Sequence, residues 1–260
     1  MSPAPIYTSD NCTPAYQLNW SYSLFWRRAA LDASHWQDAL NDSLKPDGIA
    51  ILKCHQPQKN VTQLLLSTLP NVSGKFLVQR VKGRFQHLIR ERMPSAFRRN
   101  YSLTSVGSTK REKLEAYVAQ QIDHHRYADP RFRALLRRFQ IVRPEVDLSE
   151  PRATSHALYA FNIHVVLQVQ SGESAYDERS LNAWHEMIAR ASQAKGHRLS
   201  RAAILPNHLH LLLGCQLDES PEQVALGYLN NLSYACGMKP VFRYSYYVGT
   251  FGEYDLGGTA

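Results

Sequence analysis

The stretch Phe97-Arg-Arg-Asn-Tyr-Ser-Leu-Thr-Ser-Val-Gly107 recurs as Phe242-Arg-Tyr-Ser-Tyr-Tyr-Val-Gly-Thr-Phe-Gly252, 145 residues later. Leu64-Leu-Leu-Ser67 matches Leu211-Leu-Leu-Gly214 at an offset of 147, and Tyr22-Ser-Leu-Phe-Trp26 matches Ile163-His-Val-Val-Leu167 at an offset of 141. Three matches in the same order imply an internal duplication. Working outward, each copy reads as strand, helix, two strands, helix, strand. In the first copy β-branched and aromatic residues cluster near 20–26, 47–54, 60–68 and 100–106, with helical periodicity near 33–44 and 74–92. In the second the strands fall near 158–169, 199–204, 207–214 and 243–250, and the helices near 179–196 and 221–237. This order suits an α+β sandwich, with helices on an antiparallel sheet. The expected division is a domain over 1–127, a linker over 128–153, where Pro130, Pro144 and Pro151 stand amid charged residues, and a domain over 154–260.

The chain has 260 residues, 44% hydrophobic and 20% charged, a balance that predicts packed globular structure and argues against disorder. Its four cysteines form no C-x-x-C pair, which suggests neither a zinc knuckle nor a disulfide framework and fits a reducing cytoplasm. The amino terminus has no basic flank and no apolar core of an export signal, and no apolar run approaches the ~18 residues a membrane span needs. A cytoplasmic protein without membrane contact is expected. The net charge is +8 over the chain, and it divides as +8 in residues 1–127, +2 in 128–153 and −2 in 154–260. Excess Lys and Arg in the first half points to a polyanionic partner there.

The two copies differ in what chemistry they carry. Only the first continues into a further helix, from about 109 to 126, announced by the capping-box pattern Thr109-Lys-Arg-Glu112. That helix puts Tyr117 and Gln121 four residues apart, on one face. Its spacing equally suits an amphipathic helix with Tyr117 at the edge of a core. Only the second copy carries His208-Leu-His210, where the first has Val61-Thr-Gln63. Residues two apart on a strand share a face, so the two imidazoles could share a metal ion. Chance alone supplies on the order of half such a pair in a chain with this many histidines, so core histidines are an equal reading. Arg80, Lys82, Arg84 and Arg90 on the second helix of the first copy, with Arg111 and Lys113 on the extra helix, are the candidate contacts to a nucleic-acid backbone. Tyr244, Tyr246 and Tyr247 could stack on unpaired bases or fill a core.

Ala157-Leu-Tyr-Ala-Phe-Asn-Ile-His-Val-Val-Leu167, then Leu205-Pro-Asn-His-Leu-His-Leu-Leu-Leu213, then Tyr246-Tyr-Val-Gly-Thr-Phe-Gly252 resemble the successive signatures of the single-tyrosine HUH transposases. These enzymes move insertion sequences as single-stranded DNA and include those associated with repetitive extragenic palindromes. The family's Gly-then-Tyr-x-x-x-Gln element stands here after the first copy, as Gly107 followed by Tyr117-Val-Ala-Gln-Gln121. The resemblance implies ferredoxin-like halves forming an intramolecular pseudo-dimer, with one composite site made of Tyr117 and Gln121 from the first half and His208 and His210 from the second. It implies Tyr117 as nucleophile, His208, His210 and Gln121 as ligands of Mg2+ or Mn2+, and a 5′-phosphotyrosine intermediate on hairpin-containing single-stranded DNA. It further implies a monomer or weak dimer, because the dimer of the family is here within one chain. A decayed or domesticated protein that grips hairpins without cutting is the alternative. His164 matches a family position and is read as structural or near the metal; His124 and His125 follow the tyrosine helix and could approach phosphate. Tyr254, just past Gly252, is a lesser rival to Tyr117.

Overall fold

Alternation of apolar and polar residues builds the strands first. The computed structural model of the chain describes residues 4–125, 130–170 and 177–253. In the first half β1 (Thr13–Gln17) precedes β2 (Asn19–Trp26), α1 (Gln37–Leu44), β3 (Ile49–Gln58), β4 (Val61–Thr68), α2 (Gly74–Ile89) and β5 (Phe97–Val106). Then come α3 (Arg111–Ala119), α4 (Gln121–His124) and α5 (Pro130–Arg138), and the short strands β6 (Ile141–Val142) and β7 (Arg152–Ala153). The stretch expected as a linker thus carries a helix and two strands of its own. The second half comprises β8 (Ala157–Ala160), β9 (Asn162–Val169), α6 (Glu178–Ala194), β10 (Arg198–Ile204), β11 (His208–Gly214), α7 (Pro221–Ala235) and β12 (Phe242–Thr250). Ser220 and Gln223 close a reciprocal capping box on α7, and Ser73 caps α2 through its hydroxyl. No such box opens α3. Its N-cap is Lys110 with no side-chain cap, so the Thr109–Glu112 expectation fails by one residue, and Glu112 instead binds Arg111 at 2.6 Å.

Two six-stranded sheets result, ordered β3-β4-β2-β5-β8-β7 and β1-β12-β9-β11-β10-β6. Within each, the four strands of one half run antiparallel in ferredoxin-like order, the first strand lying between the third and the fourth. The registers of the central strands superpose, with β9 lying 143 residues after β2 and not 141 as the sequence match had it. Gln63 faces Ser23 as His210 faces Val166, and Thr104 faces Ser21 as Gly249 faces His164. The sequence did not foretell that each half lends its leading strand to the other. β1 pairs parallel with β12, and β8 pairs parallel with β5. A reciprocal exchange of this kind satisfies the backbone groups of both β5 and β12, which would otherwise be sheet edges.

The seam between halves is built twice by equivalent residues. Ser105 Oγ accepts from the Asn162 amide (3.0 Å) and donates to the Phe251 carbonyl (2.9 Å). Thr250 Oγ1 accepts from the Asn19 amide (2.8 Å) and donates to the Val106 carbonyl (2.7 Å). The repeat-equivalent glycines meet here, with the Gly107 amide donating to the Gly252 carbonyl at 3.3 Å. A Cβ on Gly107 would lie 2.4 Å from the Thr250 oxygen, and one on Gly252, at φ +140°, would lie 2.5 Å from the Ser105 oxygen. Backbone approaches this close admit only glycine. One continuous core runs through both halves, from Trp20, Trp26 and Phe85 to Trp184, Tyr228 and Phe242.

Candidate active site

α3 leaves the first half at Gly107 and lies against the second. Its Leu114 and Val118 pack with Ala203 and Leu205 near β10, with Leu212 of β11, and with Leu148 and Phe251. The apolar stripe is narrow, and Tyr117 stands on its open side, 46% exposed. Its ring meets that of His210 at 5.8 Å between centroids, edge to face, and that of His124 at 6.2 Å. The chain turn after α4 then brings His125 to 5.5 Å from His208. Residues from 117 and from 210, on opposite sides of the repeat boundary, therefore meet.

β11 places His208 and His210 on the sheet face that lacks α6 and α7, with ring centroids 4.8 Å apart. Neighbouring β9 adds His164, whose ring stacks on that of His210 at 5.1 Å and whose Nε2 lies 2.9 Å from His210 Nδ1. His208 Nδ1 lies 2.8 Å from Asn207 Oδ1, an oxygen that can only accept, so the proton of His208 sits on Nδ1 and its Nε2 keeps a lone pair. His210 Nε2 is buried with no hydrogen-bond partner. A buried polar atom left alone costs free energy unless a ligand meets it. Burial holds His164 down to about 4; burial, then the imidazoles of His164, His208 and His125, holds His210 down to about 3. His208 is held to about 4 by burial and then by His125. All three are thus neutral at physiological pH, the form in which imidazole binds metals.

Gln121, the first residue of α4, is buried, and its amide nitrogen donates to the Tyr117 carbonyl at 3.4 Å. Among the described residues no three His, Cys, Asp or Glu side chains form a metal-holding group. The structure thus brings His208 and His210 together with Tyr117, while Gln121 is described only in contact with the Tyr117 carbonyl; a cation held by the two imidazoles would need oxygen ligands from water, substrate or a side-chain amide to complete its shell.

Most of the basic residues expected to meet DNA also have partners within the protein. Arg84 binds Asp47 at 2.6 Å and Arg80 lies 3.8 Å from the same carboxylate. Lys82 donates to the Arg98 and Arg99 carbonyls and is held below the usual lysine range by burial. Arg90, at the C-cap of α2, contacts His87 at 3.3 Å. Arg111 is tied to Glu112, Glu115 and Asp147, while Lys113 is exposed on α3. Arg80, Arg84 and His87 border a groove of about 310 Å3 between α1 and α2, where Gly83 leaves open space. Of the tyrosines on β12, Tyr246 belongs to the core and reaches Glu222 at 3.3 Å, Tyr244 is exposed beside Tyr7, and Tyr247 faces the histidines. Tyr254 lies outside the described residues.

Solved transposases are among the structures similar to this chain. One is a candidate transposase from Deinococcus radiodurans R1, 17% identical at a TM-score of 0.33, with 46% of this chain and 98% of that one aligned. Another is a REP-associated tyrosine transposase bound to a REP hairpin, 10% identical at a TM-score of 0.32, with 36% of this chain and 58% of that one aligned. No protein-family model and no curated protein matches the sequence. Among the described residues no helix is long and apolar enough to cross a membrane.

The contact that sequence reasoning missed is His164–His210, because strand pairing, and not spacing along the chain, brings them together. Its only trace in the sequence was the resemblance at Asn162-Ile-His-Val.

Proposed function

We propose that this chain is a single-strand DNA nicking and rejoining transposase of the single-tyrosine HUH type, working through a 5′-phosphotyrosine on hairpin-containing DNA. The observation that carries the reading is the meeting of Tyr117 with His210 at 5.8 Å, one from each half, beside a buried imidazole nitrogen that lacks a partner. In this reading Tyr117 is the nucleophile. Its phenolic oxygen bonds to the scissile phosphorus, the bond from phosphorus to the 3′ oxygen breaks, the phenolic proton leaves to solvent, and the departing 3′ oxygen takes up a proton. Because the phosphodiester energy is kept in the tyrosyl ester, a second 3′-hydroxyl can reverse the step and exchange strands, and no nucleotide cofactor is needed.

His208, His210 and Gln121 would hold a divalent cation, which supplies Lewis-acid polarisation of the phosphate oxygens. Asn207 and His164 fix the orientation of the two imidazoles through their Nδ1 atoms, as outer partners of ligating histidines do. Docking of α3 by Leu114 and Val118 positions the phenol. Among the described residues the other half carries Val61, Gln63 and Ser21 in place of the three histidines, so in this reading it offers no imidazole pair of its own.

The test is a labelled single strand containing a hairpin, incubated with the protein and Mn2+. An adduct that survives denaturation is expected, abolished by Tyr117→Phe with binding retained. Normal cleavage by His208→Ala would refute the composite site.

A further inference from the structure

The sheet face that bears the histidines continues beyond them onto β12. There Tyr247 pairs with Val166 and Gly249 with His164, so both residues share the face of the site. The Tyr247 ring meets His164 at 5.8 Å and 70°. Two residues on, the absence of a side chain at Gly249 decides how that ring lies. A Cβ on Gly249 would be 2.3 Å from the Tyr247 hydroxyl oxygen and 2.9 Å from its Cζ. The ring therefore reclines along the strand, over Gly249, instead of standing off the sheet, and it is partly exposed.

Across the sheet the order is β12, β9, β11, β10, with α3 packed at the β10 side. Tyr247, His164, His210 and Tyr117 thus form a row crossed in ring-to-ring steps of 5.8, 5.1 and 5.8 Å. The two tyrosines stand at its ends. In the first half the equivalent register positions hold Ser102 and Thr104, opposite Ser23 and Ser21. The Tyr–Gly pair accompanies the histidines and is missing where they are missing. A core role would be needed equally in both halves; this asymmetry follows the site instead.

We propose that Tyr247 is a stacking platform for an unpaired nucleobase flanking the scissile phosphate, so that the substrate strand crosses β12 and β9 toward Tyr117. The proposal rests on the function proposed above. An aromatic ring backed by a sheet offers one free π-face, and such stacking tolerates any base because every base has a π-face. Gly249 is a positioning residue in this arrangement, since it acts only by letting the ring recline.

The experiment measures binding of a fluorescein-labelled single strand that carries a hairpin and a mixed-sequence unpaired flank, by anisotropy in the Tyr117→Phe background, where no adduct forms. Tyr247→Ala is expected to weaken binding roughly 5- to 160-fold, the usual range for losing one stacked base. Tyr247→Phe should bind like the parent, because the ring is kept. Gly249→Ala leaves the ring's chemistry untouched but evicts it from its seat, and should weaken binding to a similar degree with an unchanged melting temperature. Binding by Tyr247→Ala within about twofold of the parent overturns the platform while leaving the nicking function standing. Failure of the parent itself to bind the strand overturns both.

Discussion

Replacing His164 by Ser and His210 by Gln together should remove most of the acid sensitivity of the fold without unfolding it. The first half already uses that pair at the equivalent positions, where Gln63 Nε2 donates to Ser21 Oγ at 2.9 Å. The magnitude follows from the buried imidazoles. Their folded values, about 4 for His164 and about 3 for His210, lie below the unfolded value near 6.5. Between those limits the unfolded chain binds protons that the folded chain refuses. Stability is therefore complete above the unfolded value and is lost as pH falls through the window toward about 4. Lowering pH from about 7 to about 5 crosses roughly 1.5 units of that window, which at about 1.4 kcal/mol per unit costs about 2 kcal/mol per histidine. The pair thus accounts for about 4 kcal/mol, a large share of the stability of an ordinary domain. His208 shifts in the same direction but is partly solvated and is present in both proteins, so it cancels in the comparison. Urea unfolding at both pH values, with a chelator present, measures the difference. A double variant that loses as much stability on acidification as the parent would refute the claim that these imidazoles are buried and neutral.

Further outcomes follow from the same geometry. Mn2+ should raise the melting temperature of the parent and leave that of the double variant unmoved, by up to about 2.7 kcal/mol of stabilisation at a hundredfold excess over the dissociation constant; a Mn2+ response retained by the variant would remove His210 from the metal site. Gly107→Ala should destabilise by roughly 1–3 kcal/mol or more, because the new methyl would strike the Thr250 and Phe251 backbone, whereas Gly83→Ala, with open space around it, should be neutral or stabilising by about 0.5–1 kcal/mol in urea unfolding. Val118→Ala should loosen α3 from the second half, raising hydrogen exchange across 111–119 and slowing adduct formation more than it weakens DNA binding. Unchanged exchange there would mean that the helix is held by something other than this apolar contact.

Much of this was legible along the chain. Alternating apolar residues located β2, β4 and β11 within a residue or two, and helical spacing did the same for α6 and α7; the single strand read over 158–169 is instead two, β8 and β9, which join different sheets, and α2 ends three residues short of its expected end. The capping box on Thr109 failed because a four-residue pattern fits several starting points, and the helix begins where Arg111 and Leu114 can reach their partners. The linker expectation rested on prolines, yet Leu136, Phe139, Ile141 and Leu148 of that stretch are buried, since apolar side chains find cover wherever a core passes. Charge counting located the basic residues but not their neighbours, and Asp47, Glu115 and Asp147 stand beside Arg80, Arg84 and Arg111.

By itself the sequence carried the recurring segments, most of the sheet-and-helix order of each half, and which half holds Tyr117 and which the histidine pair, because these are local patterns of period, spacing and identity. Only the tertiary structure decided that β1 and β8 change places between sheets, that His164 stacks on His210, that Tyr247 reclines on Gly249, and that Tyr117 comes to rest beside imidazoles from the other half. Apart from the Tyr247–Gly249 neighbours, such contacts depend on strand pairing and helix docking between residues 46 or more apart, and the free energy that selects them comes from the burial of surfaces belonging to both halves at once.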